Sequence, residues 1–277
     1  MKMLEDEIAH SLAAVHSVSK GLEILSAKLD HLCEFIVNKD NEKRWGKWGS
    51  SEEIKQGSGN VREISVHALS VVEKMRSYRA YSGNLDLNLY ISLLSASVKE
   101  EWRYTQIDQT SKVLFIGAGA FPLSAFTIAR NTSAEVICTD IDDEAVYQGR
   151  KLTEFLGLQR SVHYLDSHLK ASEAAGACTH VFIASLVPEK IEIVEELKTA
   201  VHPDCKMIIR YGNGLKSLFN YPLFTDLSSD WKVDWQEDWQ VDCINRPACL
   251  YDTLILSLPK SALAAAAARE MMASRRS

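Results

Sequence analysis

The sequence has no apolar run that approaches the roughly 20 residues of a membrane-spanning helix. Its first residues, Met1 to Glu7, lack the apolar core of a signal peptide. No membrane association is therefore expected. Basic residues are too few for a nucleic-acid partner, because 31 Lys and Arg stand against 37 Asp and Glu, which gives a net charge of −6. Proteins that bind nucleic acid need a basic face.

The six cysteines occur without Cys-x-x-Cys spacing, and the histidines show no spacing typical of metal ligands. Both observations argue against a metal site, and the cysteines argue against a disulfide framework. No Gly-x-Ser-x-Gly motif is present, which disfavours an α/β-hydrolase. The simplest prediction is a reduced, soluble, cytoplasmic protein that holds no metal.

The first part of the chain is predicted to be helical. Apolar residues recur every three or four positions over 4–37, which predicts one long amphipathic helix. Further helices are expected over 61–82 and 87–102, and the polar stretch 38–60 is expected to be a loop or a broken helix. We therefore assign residues 1–108 to a helical N-terminal cap domain. The apolar face of the first helix would pack internally, or alternatively form a homodimer.

Residues 109–277 alternate between short apolar runs and helical stretches, which predicts a doubly wound parallel sheet with right-handed crossovers. The fold class is thus α/β, a Rossmann-like domain preceded by an all-α domain. Two later segments, 231–239 and 252–258, are expected to form its antiparallel edge. The predicted parallel strands are 112–116, 135–139, 161–165, 179–184 and 205–211.

A glycine turn directly follows the first strand and opens a helix. The dinucleotide fingerprint Gly-x-Gly-x-x-Gly is incomplete, because Pro122 takes the place of the third glycine. This favours S-adenosylmethionine over NAD, since S-adenosylmethionine has no pyrophosphate to bind. An acid about 20 residues further on would hold the ribose hydroxyls. A purely structural turn, and a helix-capping role for the acids, are the alternatives. The predicted cofactor-binding residues here are Gly117, Ala118, Gly119, Pro122, Asp140 and Ile141.

The ends of later strands should face the same crevice, because ligands of open α/β sheets bind at the carboxyl ends of strands. Asp166 could accept the adenine amino group or cap the next helix. Arg210 could hold a substrate carboxylate, or belong to a surface turn. The other residues assigned at these ends are Ser167, Ala184 and Ser185 for the cofactor, and Tyr211 and Asn213 for the substrate.

Three segments together resemble the nicotianamine synthase-like family: Phe115 to Ser124, Thr139 to Val146, and Arg210 to Pro222. They are similar in particular to its bacterial branch, the histidine 2-aminobutanoyltransferases of opine metallophore biosynthesis, of the staphylopine and pseudopaline type. The resemblance implies a class I S-adenosylmethionine-dependent transferase. Such an enzyme moves the 3-amino-3-carboxypropyl group to the α-amine of histidine and releases methylthioadenosine. It also implies a downstream opine dehydrogenase as partner.

The resemblance further implies a general base on the helical cap, because the acceptor amine must lose a proton before it attacks. Glu73 matches the family's acid and Tyr90 its hydrogen-bonding tyrosine. Taken by pattern alone, Glu73 would form an ion pair with Arg76, and Tyr90 would be a core residue. Phe121 stands where some relatives have tyrosine. The alternatives are an ordinary methyltransferase with the same cofactor, and a cofactor-binding scaffold without activity.

Overall fold

The computed structural model describes residues 1–17, 20–81, 97–101, 104–223, 239–247 and 249–259. The N-terminal part is helical, as expected. Its helices are α1 (Lys2–Ala14), α2 (Gly21–Val37), α3 (Lys39–Trp48) and α4 (Glu52–Ala80), and residues 97–101 are also helical. Most of the helix expected over 87–102 lies outside the described residues.

The prediction of one helix over 4–37 is wrong, because the chain turns between α1 and α2. A Cβ built on Gly21 would lie only 2.2 Å from the carbonyl oxygen of Val15. The chain therefore folds back tightly at this point, and only glycine fits there. Val15 and Leu22 are both buried, so the apolar spacing continues across the break and hides it.

Of the two expectations for 38–60, a loop or a broken helix, the structure shows the broken helix, because α3 ends at Trp48 and α4 begins at Glu52. The side chain of Asn38 accepts hydrogen bonds from the N–H groups of Asp40 at 2.9 Å and Asn41 at 3.1 Å, and so caps α3. The Ser51 hydroxyl accepts from the N–H of Ile54 at 3.4 Å at the start of α4. None of the residues of α3 is fully buried, which explains why its sequence is polar and carries no helical apolar pattern.

The second part of the chain forms a seven-stranded sheet in the order β3-β2-β1-β4-β5-β7-β6. The five predicted parallel strands are confirmed, and the antiparallel edge is formed by β7 on β5 and β6 on β7. Residues 231–238 lie outside the described part. The strands are β1 (Lys112–Ile116), β2 (Glu135–Thr139), β3 (Val162–Tyr164), β4 (His180–Ile183), β5 (Lys206–Tyr211), β6 (Gln240–Asn245) and β7 (Asp252–Ser257).

Helices connect the parallel strands: α5 (Leu123–Thr132), α6 (Asp143–Phe155), α7 (Ala171–Ala175) and α8 (Lys190–Leu197). The strand order reverses between β1 and β4, and such a reversal opens a crevice at the carboxyl ends of the strands. This is the Rossmann-like fold that the sequence predicts. In the described part of the chain, no helix is both long and apolar enough to cross a membrane.

The helical layer is tied to the sheet layer beside this crevice. The ammonium of Lys74 on α4 lies 2.6 Å from the carboxylate of Asp142 and 2.9 Å from that of Glu144, at the start of α6. Leu218 and Phe219, which follow β5, are buried in the cluster formed by α1, α2 and α4. These contacts hold one face of α4 over the carboxyl ends of β1 and β2.

Candidate functional site

A cavity of about 640 Å³ lies at the carboxyl ends of β1, β2 and β4, with α4 as its opposite wall. It brings together most of the residues predicted from the sequence. The predicted residues that line it are Glu73, Gly117, Ala118, Gly119, Pro122, Asp140, Ile141, Ala184, Ser185 and Arg210.

The glycine turn gives the cavity its shape. Gly117 has φ +76° and Gly119 has φ +72°, backbone conformations that residues with a Cβ rarely adopt. A Cβ on Gly117 would lie 2.5 Å from Cγ2 of Val187. The Gly117 position therefore lets the β1 turn pack closely against the loop after β4, where the sheet order reverses.

Asp140 lies at the end of β2 and faces this turn. Its Oδ2 accepts a hydrogen bond from the N–H of Gly119 at 2.8 Å, and its Oδ1 accepts from the N–H of Asp142 at 3.0 Å. Burial raises the pKa of the Asp140 carboxyl, and these two N–H groups act in the opposite direction. The carboxylate is thus fixed in position at the cavity, and each oxygen can accept a further hydrogen bond.

The alternative capping role belongs to a different acid. Oδ1 of Asp142 accepts hydrogen bonds from the N–H groups of Glu144 at 2.9 Å and Ala145 at 3.2 Å, and so caps α6. The capping role that was open to these acids therefore falls to Asp142. Asp140 does not cap α6 and lies at the cavity.

Glu73 reaches the glycine turn from the helical layer. Its Oε2 lies so near Gly119 that a Cβ built there would be 2.6 Å away. Val66 and Ser70 line the same wall, about two turns and one turn earlier on α4, because residues spaced by three and four share a helix face. The Glu73 carboxylate of the helical layer therefore lies beside the same glycine that donates to Asp140. Tyr90, its expected partner, lies outside the described residues.

Asp166 and Ser167 are placed differently from the expectation. The Asp166 side chain is 76% exposed and pairs with Arg150 at 2.7 Å, and the Ser167 hydroxyl accepts from the N–H of Leu169 at 3.3 Å. Neither is among the residues that line the cavity. Asp166 is thus engaged in an ion pair and Ser167 caps the 3₁₀ helix His168–Lys170, so neither belongs to the proposed site.

Arg210 lines the cavity but is engaged in a buried ion pair. Its guanidinium binds Glu101 through two hydrogen bonds of 2.9 and 2.6 Å, and donates to the Ser124 hydroxyl at 2.9 Å. Only 3% of each charged side chain is exposed. Glu101 also accepts from the Thr253 hydroxyl at 2.9 Å. This arrangement gives Arg210 a structural role at the cavity wall, rather than the expected role of binding a substrate carboxylate.

The other two residues assigned to the substrate lie away from the cavity. Tyr211 is buried in the apolar cluster that also contains residues of β4, β5 and α8. Asn213 is half-buried and precedes a short 3₁₀ helix, Gly214–Leu218. Neither is among the cavity-lining residues of the described chain.

The described lining of the cavity is acidic. Five carboxylates line it, whereas the basic side chains are His168 and the already paired Arg210. A cationic ligand is therefore favoured over one with a pyrophosphate, which needs positive charge or several free N–H groups. In the part of the chain that the structure describes, no group of three or more His, Cys, Asp or Glu is placed to hold a metal ion. The five acids are Glu73, Asp140, Asp142, Glu189 and Glu196.

Sequence reasoning missed one wall of the site. Glu189, Ile193 and Glu196 line the cavity from α8 and the residue before it. Their spacing of four and three places them on one helix face. That spacing was available in the sequence, but an acidic helix is usually a solvated one, so the pattern alone did not single them out.

The sequence of the chain is similar to those of known proteins. The family model described as nicotianamine synthase protein matches residues 88–247. The L-histidine 2-aminobutanoyltransferase of Pseudomonas aeruginosa (strain UCBPP-PA14) is 32% identical over 258 residues, which cover 92% of this chain and 94% of that protein. The L-histidine 2-aminobutanoyltransferase of Yersinia pestis is 30% identical over 173 residues, 62% of this chain and 64% of that protein.

Two solved structures share the fold. The crystal structure of MtNAS in complex with MTA and tNA has a TM-score of 0.72 at 14% identity, and covers 92% of this chain and 97% of that one. A mutant of MtNAS in complex with S-adenosylmethionine has a TM-score of 0.67 at 15% identity, with the same coverage of both chains. At these identities, the similarity shows the fold of the helical layer and the sheet together.

Proposed function

The chain belongs to the nicotianamine synthase family, and from this premise we propose its reaction. It transfers the 3-amino-3-carboxypropyl (aminobutanoyl) group of S-adenosylmethionine to the α-amine of histidine and releases methylthioadenosine. The observation that supports this most is the position of Glu73. The helical layer brings a carboxylate to the glycine turn of a Rossmann-like cavity, where the acceptor amine can lose its proton.

The residues of the cavity fit the donor. Asp140 offers fixed carboxylate oxygens for the ribose hydroxyls, and Gly117 and Gly119 keep the turn free of side chains. The acidic lining suits a positively charged sulfonium. When bound, S-adenosylmethionine supplies a sulfonium that activates all three attached carbons. The donor-binding residues of the proposal are Gly117, Ala118, Gly119, Pro122, Asp140, Ile141, Ala184 and Ser185.

Glu73 acts as the general base for the acceptor. An ammonium has no free electron pair, so a group within hydrogen-bond reach must take its proton before it can attack. Because Glu73 reaches Gly119 from α4, it holds the amine on the side of the helical layer. The protein selects the carbon that reacts by aligning the nucleophile with one S–C bond. By family resemblance, we also assign Tyr90 as the hydrogen-bonding partner of Glu73.

The product nucleoside tests the proposal. The purified chain is incubated with S-adenosylmethionine and either L- or D-histidine, and the nucleoside is identified by chromatography and mass spectrometry. We expect methylthioadenosine, formed only when histidine is present. S-adenosylhomocysteine would instead identify a methyltransferase. If neither nucleoside forms with either histidine, although S-adenosylmethionine binds, the chain is a binding protein.

The product would carry a secondary amine and two carboxylates, and we propose that an opine dehydrogenase consumes it in the cytoplasm. This assignment rests on the resemblance to the opine metallophore branch and on the names of the relatives. We further propose that the transfer needs no metal, because the sulfonium is already activated. Treatment with a chelator should therefore leave the rate of methylthioadenosine formation unchanged.

A further inference from the structure

Gly119 lies between three side chains that come from three different elements. Its N–H donates to Asp140 of the β2 end at 2.8 Å. Its carbonyl accepts a hydrogen bond of 2.7 Å from the hydroxyl of Tyr164, the last residue of β3. Its α-carbon faces Oε2 of Glu73 on α4. The orientation of this one residue therefore sets how the donor side and the base side of the cavity meet.

The side chain of Tyr164 is buried, and its phenol fills a space beside Gly149. The side chain is 8% exposed, and it ends against Gly149 on α6. A Cβ on Gly149 would lie 2.3 Å from the phenol oxygen and 2.4 Å from Cζ. Glycine is unfavourable inside a helix, and here it provides the space for the hydroxyl. The next residue, Arg150, donates to the backbone carbonyl of Tyr164 at 2.9 Å.

We propose that Tyr164 is a positioning residue for the transfer, an inference that rests on the proposed function. Its hydroxyl holds the Gly119 carbonyl, and thereby keeps the Gly119 α-carbon against the Glu73 carboxylate. Tyr164 is not among the residues that line the cavity, so it acts through Gly119 rather than by touching the reactants. Nothing in the glycine motif or in the acid pattern of the sequence indicates this role.

The effect of the hydroxyl should fall on the chemical step more than on donor binding. Without it, the Gly119 carbonyl loses its phenol donor, and glycine offers little resistance to rotation of the peptide. That rotation moves the α-carbon away from Glu73. Asp140 keeps its second hydrogen bond, from the N–H of Asp142 at 3.0 Å, so the ribose acceptor stays in place.

The test is Tyr164→Phe, which removes only the oxygen. We expect kcat for methylthioadenosine formation to fall about tenfold, corresponding to one lost hydrogen bond of ordinary strength. The KM for S-adenosylmethionine should change by less than about threefold. Tyr147→Phe is the matched control, because Tyr147 lies on α6 with 57% of its surface exposed, and it should leave both values unchanged.

Gly149→Ala tests the same contact from the other side, and serves if Tyr164→Phe does not fold. The added methyl displaces the phenol and should lower kcat at least as much as Tyr164→Phe. The two changes remove one and the same hydrogen bond, so the double variant should match Gly149→Ala within about twofold. Gly46→Ala is the control, because a Cβ at this helical glycine would meet nothing within 4 Å.

The outcomes separate this inference from the proposed function. A parent chain that forms no methylthioadenosine with histidine contradicts the proposed function, and with it the role of Tyr164. An active parent whose Tyr164→Phe variant keeps kcat within about twofold overturns the positioning role alone. A variant in which KM rises as much as kcat falls also overturns it, because Tyr164 would then act on donor binding. Multiplicative effects in the double variant overturn it as well, because Tyr164 and Gly149 would then act by separate routes.

Discussion

At the scale of single residues, the glycine turn has a second purpose. A glycine in such a turn is usually explained by the approach of the ligand to the backbone. Here a Cβ on Gly119 would first meet Glu73, a carboxylate of the protein itself. The turn therefore has room for the proposed base as well as for the proposed donor, and a sequence motif alone gives no sign of that contact because the two residues lie on different layers.

Glu73→Gln should abolish turnover and keep the site intact. The amide has nearly the same shape but cannot take a proton, and general-base assistance is worth about 10²–10⁴-fold. We expect methylthioadenosine formation to fall by about 100-fold or more, while S-adenosylmethionine still binds in a calorimetric titration. Glu53→Gln, an exposed acid in the first turn of α4, is the control. Turnover within about threefold of the parent would show that the base is a different group.

Asp140→Asn should weaken donor binding. It replaces a carboxylate by a group that both donates and accepts, beside two backbone N–H donors. Hydrogen bonds to charged groups are worth about 1.5–3 kcal/mol, so the Kd for S-adenosylmethionine should rise about 10–100-fold. Asp166→Asn tests the assignment that the geometry does not support, and should change the Kd by less than about threefold. Equal losses for both variants would return Asp166 to the donor site.

At the scale of elements, the loop between β4 and α8 is held by a buried lysine. Lys190 is 1% exposed. Its Nζ donates to the carbonyl of Ser185 at 3.0 Å and to that of Val187. Burial lowers the pKa of Lys190 to about 7, Arg62 acts in the same direction, and Glu189 opposes it. Because Ser185 and Val187 line the cavity, this side chain supports the wall across from the glycine turn.

This lysine should make the stability of the fold depend on pH. The pKa is 10.5 for an ordinary lysine and about 7 in the folded chain, so between these values the unfolded chain holds a proton that the folded chain lacks. Stability from this group therefore rises with pH across the window. The contribution is about 2 kcal/mol from pH 7 to 9. The neutral amine keeps two N–H donors, one for each carbonyl.

Urea unfolding at pH 7 and pH 9 measures this contribution. Lys190→Met should lower the gain in unfolding free energy between the two pH values by about 2 kcal/mol relative to the parent. Other titrating groups are common to both proteins and cancel in the difference. Lys170→Met is the control for removal of an exposed lysine. An equal gain in the parent and in Lys190→Met would mean that the buried lysine stays charged throughout.

The elements also show what the sequence could predict. The five parallel strands and β7 were predicted within about a residue at each end, because a buried strand between turn residues is one short apolar run. The strand β6 was not predicted, because none of its residues is fully buried and the segment expected at this edge was 231–239. The break after α1 was missed, because its cause is the contact of Gly21 with the Val15 carbonyl. The role expected for Arg210 was not supported, because its partner Glu101 is 109 residues away in the chain. Contacts between distant residues leave no local pattern to read.

At the scale of the whole molecule, the helical layer and the sheet layer share one core. The boundary between the two domains was predicted at residue 108. Leu215, Leu218 and Phe219 lie beyond that point, yet they are buried among α1, α2 and α4. Separating the two parts would expose apolar surface on both. The cavity of the proposed site lies along this same boundary, between α4 and the glycine turn.

We therefore expect a single cooperative unfolding transition. Scanning calorimetry should give a calorimetric enthalpy equal to the van't Hoff enthalpy, which is the test of two-state unfolding. Leu218→Ala, which removes a fully buried side chain at the shared core, should lower the unfolding free energy by about 2–5 kcal/mol without splitting the transition. Two resolved transitions in the parent chain would mean that the parts on either side of residue 108 fold independently.

The fate of the donor's carbon atoms tests the central claim most directly. S-adenosylmethionine is prepared with ¹³C in the methyl group or, separately, in the aminocarboxypropyl group, and each is turned over with histidine. Mass spectrometry should find the aminocarboxypropyl label on the amine of the histidine product and the methyl label in methylthioadenosine. A methyl label on histidine, with the other label left in the nucleoside, would contradict the account.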